Sequence, residues 1–93
     1  MLEISNHGRV REIRLARPPV NALNTEFVSL LTQSLHEASE DSGAVILSGR
    51  DGMFCAGIDV VELIQLDREK VTDFWSAFFS LLETVACSPI PIA

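Results

Sequence analysis

The 93-residue sequence contains no tyrosine, one tryptophan (Trp75), two cysteines, and seven basic residues against thirteen acidic ones. Each shortage excludes something. A net charge of −6 argues against nucleic acid as a partner, because neutralising phosphates needs clustered Lys and Arg. Cys55 and Cys87 have no close pairing motif and form no disulfide framework. Together with His7 and His36 they show no metal-ligand spacing, so no metal is expected. No apolar run approaches the roughly 18 residues that cross a bilayer. The start, Met1-Leu2-Glu3-Ile4, has neither a basic region nor a long apolar one, and no secretory signal is expected. A reducing, cytoplasmic setting with no membrane partner is therefore predicted. Gly49-x-x-Gly52 is not a P-loop, since no Gly-Lys-Ser/Thr follows, and there is no dinucleotide fingerprint.

What is present is ordinary for a globular chain, with 47% apolar and 22% charged residues. Ninety-three residues make at most one small domain, which buries roughly 65% of its unfolded surface. Leu2 to Ser5 and Val10 to Ala16 read as strands around a turn at Asn6-His7-Gly8. Val10 falls out of phase with Ile13 and Leu15, which predicts a bulge or burial on both faces. Arg9, Arg11, Arg14 and Arg17 read as a solvated strand face, with an anionic ligand near that edge left open. Pro18-Pro19 ends the strand, since neither can donate to a ladder.

Asn24 is suited to cap a helix running to about Ser39, whose core stripe would be Phe27, Leu30, Leu31, Leu35 and Ala38. Ala44 to Ser48 is a short apolar run consistent with a strand buried on both faces. Asp59 can cap a short helix through about Leu66, and Asp67 a longer one through about Ala86. Val71, Phe74, Trp75, Phe78, Phe79, Leu82 and Val85 form the stripe of the longer helix. Its aromatic part has the spacing of core packing. Ser88 to Ala93 looks like the approach to another buried strand, and the apolar ending predicts a chain cut from a longer domain.

The stretch with chemistry in it is Ala44 to Val60, where a buried strand runs into a glycine-containing loop and a helix opens at Asp59. A turn of this kind can leave backbone N–H groups aimed at a ligand, where they stabilise negative charge building on a carbonyl oxygen. The plain alternative is a connection whose glycines only make the turn. Glu62, three residues after Asp59, reads as a solvated or capping carboxylate rather than half of an acid/base pair. Cys55 reads as a small buried thiol, since a nucleophile would need a histidine beside it.

Two motifs make the assignment specific. Arg17-Pro18-Pro19-Val20-Asn21-Ala22-Leu23-Asn24, followed some thirty residues later by Phe54-Cys55-Ala56-Gly57-Ile58-Asp59, resembles the paired N-terminal signature of the crotonase (enoyl-CoA hydratase/isomerase) superfamily. The resemblance covers residues 1–93 and implies the first third of a family domain, truncated at its C-terminal end. The implied fold is α/β, the N-terminal part of the ββα spiral: hairpin, helix, buried strand, two helices. The implied substrates are fatty acyl-CoA thioesters, with no separate cofactor, since CoA is part of the substrate.

Carried onto this sequence, the resemblance makes the Ile58 backbone N–H an oxyanion-hole donor to a thioester enolate. It places Ala56 against the adenine, lets Gly57 approach the thioester, and has Asp59 fix the loop. Pro19, Val20, Asn21 and Ala22 would lie along the pantetheine and phosphates, with Val60 completing the substrate-facing set. The aromatic helix would border the acyl pocket. A second donor and the acid/base carboxylates would lie beyond Ala93, so this chain alone is expected to be inactive. The closer branch looks like the 3,2-trans-enoyl-CoA isomerases of β-oxidation, and the family implies a trimer or hexamer for the full-length parent. Two alternatives stand beside this: a non-catalytic CoA-binding or assembly fragment of the same fold, and an α/β domain whose loop takes no ligand.

Overall fold

In the computed structural model, which describes residues Met1–Ala93, the chain opens with a hairpin. Strand β1 (Leu2–His7) pairs antiparallel with β2 (Val10–Leu15) in unbroken register from Leu2↔Leu15 to His7↔Val10. The turn is therefore Gly8-Arg9, two residues long and later than expected, with Asn6 and His7 still in the strand. There is no bulge. Val10 is half-buried on the face opposite Ile13 and Leu15, as an unbroken alternation requires.

The arginines do not share one solvated face. Arg9 sits in the turn, and the odd spacing of Arg11 and Arg14 puts them on opposite sides of β2. Arg11 donates to Asn6 Oδ1 at 3.0 Å, while Arg17 lies past the strand and half-buried.

Helix α1 (Thr25–Asp41) starts where the sequence indicates, with Asn24 Oδ1 accepting the Phe27 N–H at 2.8 Å. It runs two residues past Ser39 before Ser42 caps it. Its inward face holds Phe27, Val28, Leu31, Ser34, Leu35 and Ala38, whereas Leu30 is exposed. At 3.6 residues per turn the stripe centres on Leu31 and Ala38, and Val28 lies nearer that axis than Leu30 does.

Strand β3 (Ala44–Ser48) joins β2 in parallel, so the sheet order is β1-β2-β3 with α1 as the crossover. Val45 is buried but Ile46 is 43% exposed. The expectation of burial on both faces fails because α1 and the later helix cover only one side.

A short helix α2 (Val60–Leu63) and a long one, α3 (Arg68–Ala86), complete the elements, capped by Asp59 and Asp67 as expected. Helix α2 ends three residues before Leu66. Helix α3 packs on α1, burying Phe74 and Leu81 in a core with Ile13, Leu15, Phe27 and Val45. Here too the expected stripe needs correction: Trp75, Phe79, Leu82 and Val85 are exposed, Phe79 by 61%. The apolar arc of α3 is wider than the surface α1 and the sheet offer it.

Pro91 to Ala93 then run parallel beside β3. Val45 N–H donates to the Pro91 carbonyl at 2.9 Å and Leu47 N–H to the Ala93 carbonyl at 2.8 Å. The reading of Ser88–Ala93 as an approach to a strand holds. No helix is long and apolar enough to cross a membrane.

Candidate functional site

The two motif segments, thirty residues apart in sequence, lie against each other. Ala56 N–H donates to the Val20 carbonyl at 3.0 Å, Leu23 N–H to the Gly57 carbonyl at 2.7 Å, and Asp59 N–H to the Leu23 carbonyl at 2.8 Å. These bonds make a short parallel bridge between Leu23 and Ile58. Successive amides of an extended chain point in opposite directions, so the bridge uses the groups on either side of Ile58 and turns its N–H away. Gly57 N–H is taken by Cys55 Sγ at 3.3 Å. From Ala56 to Asp59, the Ile58 N–H alone has no hydrogen-bond partner in the chain. Gly57 holds φ at +96°, a conformation that side chains with a Cβ rarely adopt.

Asn21 ties the segments together. Its backbone is left-handed at φ +55°, and it is 1% exposed. Its Oδ1 accepts the Arg17 N–H at 2.8 Å, its Nδ2 donates to the Phe54 carbonyl at 2.9 Å, and its own carbonyl accepts Cys55 Sγ–H at 3.2 Å. The Asn21 side chain thus holds the loop to the Phe54 segment. Pro19, Ala56 and Val60 are exposed, and Val20, Ala22, Gly57, Ile58 and Asp59 half-buried, all within reach of the surface. Gly49 lets the loop close, since a Cβ there would lie 2.7 Å from Phe54 Cα.

Asp59 is committed to structure. One oxygen caps α2 by accepting the Glu62 N–H at 3.1 Å, and the other accepts Arg17 Nη1 at 3.0 Å. The backbone bond and then the guanidinium hold its carboxyl below the usual value of 3.8. Arg17 Nη1 also donates to the Ala22 carbonyl at 2.7 Å, and Glu62 accepts Asn24 Nδ2 at 3.1 Å. Arg17, Asn24 and Glu62 thus lock α1, α2 and the Pro19–Ala22 loop to one another. Nothing in the local spacing marks these long-range partners, and the sequence reading assigned no such role to Arg17.

A pH effect follows. A depressed carboxyl adds stability that is fully present above the unfolded pKa of about 3.9 and lost as pH falls through the lower folded value. Asp59→Asn should lower the melting temperature at pH 7, and the gap from wild type should narrow below about pH 4. Glu12, held low first by the Ser48 hydroxyl at 2.7 Å, contributes to both proteins and cancels in the difference. A gap unchanged from pH 7 to pH 3, measured by thermal melts, would show the bridge to be inert.

Beside the loop lies an apolar hollow of about 310 Å³ whose lining includes Leu23, Phe54, Cys55, Phe78 and Leu82. Phe78 and Leu82 bring the outer flank of α3 to this site, while Phe74 stays in the core. No histidine is among the hydrogen-bond partners of Cys55, and no cluster of His, Cys, Asp or Glu could hold a metal ion.

A three-stranded mixed sheet with one parallel crossover and a strand-to-helix turn with one unbonded amide make this an α/β chain, and its structural neighbours are enoyl-CoA hydratase/isomerase-family proteins of the crotonase fold. The chain belongs to the enoyl-CoA hydratase/isomerase family, which matches residues 5–93. It is 37% identical over 90 residues to enoyl-CoA hydratase domain-containing protein 2, mitochondrial, of Bos taurus, covering 92% of this chain and 30% of that one. It is 28% identical over 80 residues to enoyl-CoA delta isomerase 1, mitochondrial, of Rattus norvegicus, covering 83% and 28%. The crystal structure of human mitochondrial delta3-delta2-enoyl-CoA isomerase superposes with a TM-score of 0.93 at 27% identity, over 98% of this chain and 37% of that one. The chain thus spans about a third of the length of these relatives.

Proposed function

We propose that this chain supplies the CoA-facing loop and one of two oxyanion donors of a longer enoyl-CoA isomerase or hydratase. The observation that carries the reading is the unbonded Ile58 N–H between bonded neighbours. As a proton moves next to a thioester carbonyl, charge builds on its oxygen, and a fixed amide dipole stabilises that charge without reorganising. The apolar hollow beside Cys55 and Phe78 suits a fatty acyl chain, and the strip from Pro19 to Ala22 with Ala56 suits the CoA tail. The family resemblance supplies the rest of the proposal: a second donor and the acid/base carboxylates from residues beyond these 93, and a trimeric or hexameric parent. The isomerase branch is preferred, on the Arg-Pro-Pro-Val-Asn loop and the aromatic α3. A reducing, cytoplasmic setting is proposed on the two free thiols, although all three of the relatives above carry "mitochondrial" in their names.

The chain by itself favours the second reading, binding without chemistry. Asp59, the carboxylate of the turn, is occupied by Arg17 and the α2 cap, so no positioned base remains there. Acid–base assistance alone contributes about 10²–10⁴ in rate. The full-length parent should therefore convert a 3-enoyl-CoA to the 2-enoyl isomer, or hydrate the latter, while residues 1–93 alone give no turnover above background. A parent that binds no acyl-CoA by calorimetry overturns the assignment; turnover by the 93 residues overturns the division of labour.

A further inference from the structure

The open amide of Ile58 is the last link of a hydrogen-bond chain that begins at a charge. Arg17 Nη1 donates to the Ala22 carbonyl at 2.7 Å. The N–H of that same peptide, on Leu23, donates to the Gly57 carbonyl at 2.7 Å. The N–H of the Gly57 peptide is in turn the one on Ile58. A trans peptide sets its C=O and N–H on opposite sides, so two peptide groups stand head to tail between the guanidinium and the open donor. Both bonds lie at the short end of the N–H···O range. Nη1 points its second hydrogen at Asp59 Oδ2, 3.0 Å away, and Glu62 Oε2 lies 3.8 Å from Nη2. These carboxylates damp the field of Arg17 without taking the hydrogen that reaches Ala22. No other charged side chain pairs with Arg17.

We infer that Arg17 is a positioning residue for the reaction, acting on the thioester through these two peptides. It fixes their planes and polarises them, which makes the Ile58 N–H a stronger donor than an isolated amide. The inference rests on the acyl-CoA reading above and adds the origin of the donor's strength. A hydrogen bond from an ionised donor is roughly twice as strong as a neutral one, and bonds in a chain strengthen one another by roughly 10–30% each. The Arg17 side chain is only 26% exposed, so its charge acts along the chain with less screening than at a free surface. The benefit grows with the charge on the thioester oxygen, and it therefore belongs to kcat more than to KM.

The test is infrared difference spectroscopy of the full-length parent with an acyl-CoA isotope-labelled at its thioester carbonyl, alongside steady-state kinetics. Wild type should shift the carbonyl stretch to lower frequency. Arg17→Gln should reverse part of that shift and lower kcat about 2–10-fold, with KM nearly unchanged. That range is a tenth to a third, on a logarithmic scale, of what one oxyanion donor contributes. Arg17→Lys keeps a cation able to reach the Ala22 carbonyl and should recover most of both losses. Asp59→Asn breaks the same ion pair from its other side and uncovers the charge of Arg17. Its carbonyl shift should be at least as large as in wild type, even though the protein is less stable. An ester in place of the Leu23 amide cuts the relay with every side chain in place, and should match Arg17→Gln; it decides the matter where the glutamine variant does not fold. Equal losses from Arg17→Gln and Asp59→Asn would overturn the inference and leave Arg17 a brace. So would a carbonyl shift that neither Arg17→Gln nor the Leu23 ester alters, with the acyl-CoA reading intact. A wild-type parent that binds no acyl-CoA would sink both.

Discussion

Replacing the peptide N–H of Ile58 with an ester oxygen in the full-length enzyme should lower kcat about 10²–10³-fold, the effect of removing one oxyanion donor. KM should move far less, because the bond strengthens only as charge develops on the thioester oxygen. The geometry gives this experiment an unusual control. The Ile58 amide donates to nothing within the chain, so its loss breaks no native hydrogen bond. The ester does weaken the Gly57 carbonyl, which accepts the Leu23 N–H at 2.7 Å, and some stability is lost, up to about 1 kcal/mol. An ester at Asp59 is the counterpart. It deletes a donor that does bond, to the Leu23 carbonyl at 2.8 Å, and should cost stability without a comparable drop in kcat. If the two esters reduce kcat equally, the loop is only scaffolding and the Ile58 amide has no special part. Ile58→Val keeps the amide and should stay near wild type, which separates the backbone from the side chain.

The order and type of elements were legible in the sequence because each has a local cause. Asn24, Asp59 and Asp67 cap the helices they precede, and a cap is a chemical fit between a side chain and the next turn's amides. Motif resemblance singled out Ile58, and the bridge to Leu23 is what leaves its N–H unbonded. Facing was harder to read. Leu30, Ile46, Trp75 and Phe79 are apolar yet exposed, because apolarity says that a side chain favours burial and not which neighbour provides it. The arginines around β2 were misread for a related reason: their spacing was read as alternating on one face, but the three-residue step divides Arg11 from Arg14. Least legible were the bonds that set the site's shape, from Arg17 to Asp59 and from Asn24 to Glu62. They join residues 42 and 38 positions apart, and no local pattern encodes them.

Asn21 is the extreme case of such a bond, and it carries the second large expectation. Asn21→Ala should destabilise the protein by about 3–8 kcal/mol, a large share of the 5–15 kcal/mol that holds a domain folded. Two parts make up the sum. The Phe54 carbonyl and the Arg17 N–H lose partners whose bonds are part-buried, at roughly 1–3 kcal/mol each. Alanine must also adopt φ near +55°, at about 1–2 kcal/mol more. Glycine adopts that conformation freely, so Asn21→Gly should be milder than Asn21→Ala by about the second part alone. That order reverses the usual one, in which glycine costs more than alanine, and it would not arise if Asn21 acted only through side-chain packing. Asn21→Asp gives the third reading. One carboxyl oxygen can still accept the Arg17 N–H, but the other replaces a donor and faces the Phe54 carbonyl. Acceptor against acceptor favours the protonated form, so the introduced carboxyl has a raised folded pKa. Its stabilising share is present below the unfolded value of about 3.9 and lost as pH rises through the folded one. Urea midpoints should therefore place Asn21→Asp close to wild type in acid and well below it at pH 7. A midpoint difference that ignores pH, or an alanine variant more stable than the glycine one, would mean that the two motif segments are held together by something other than this side chain.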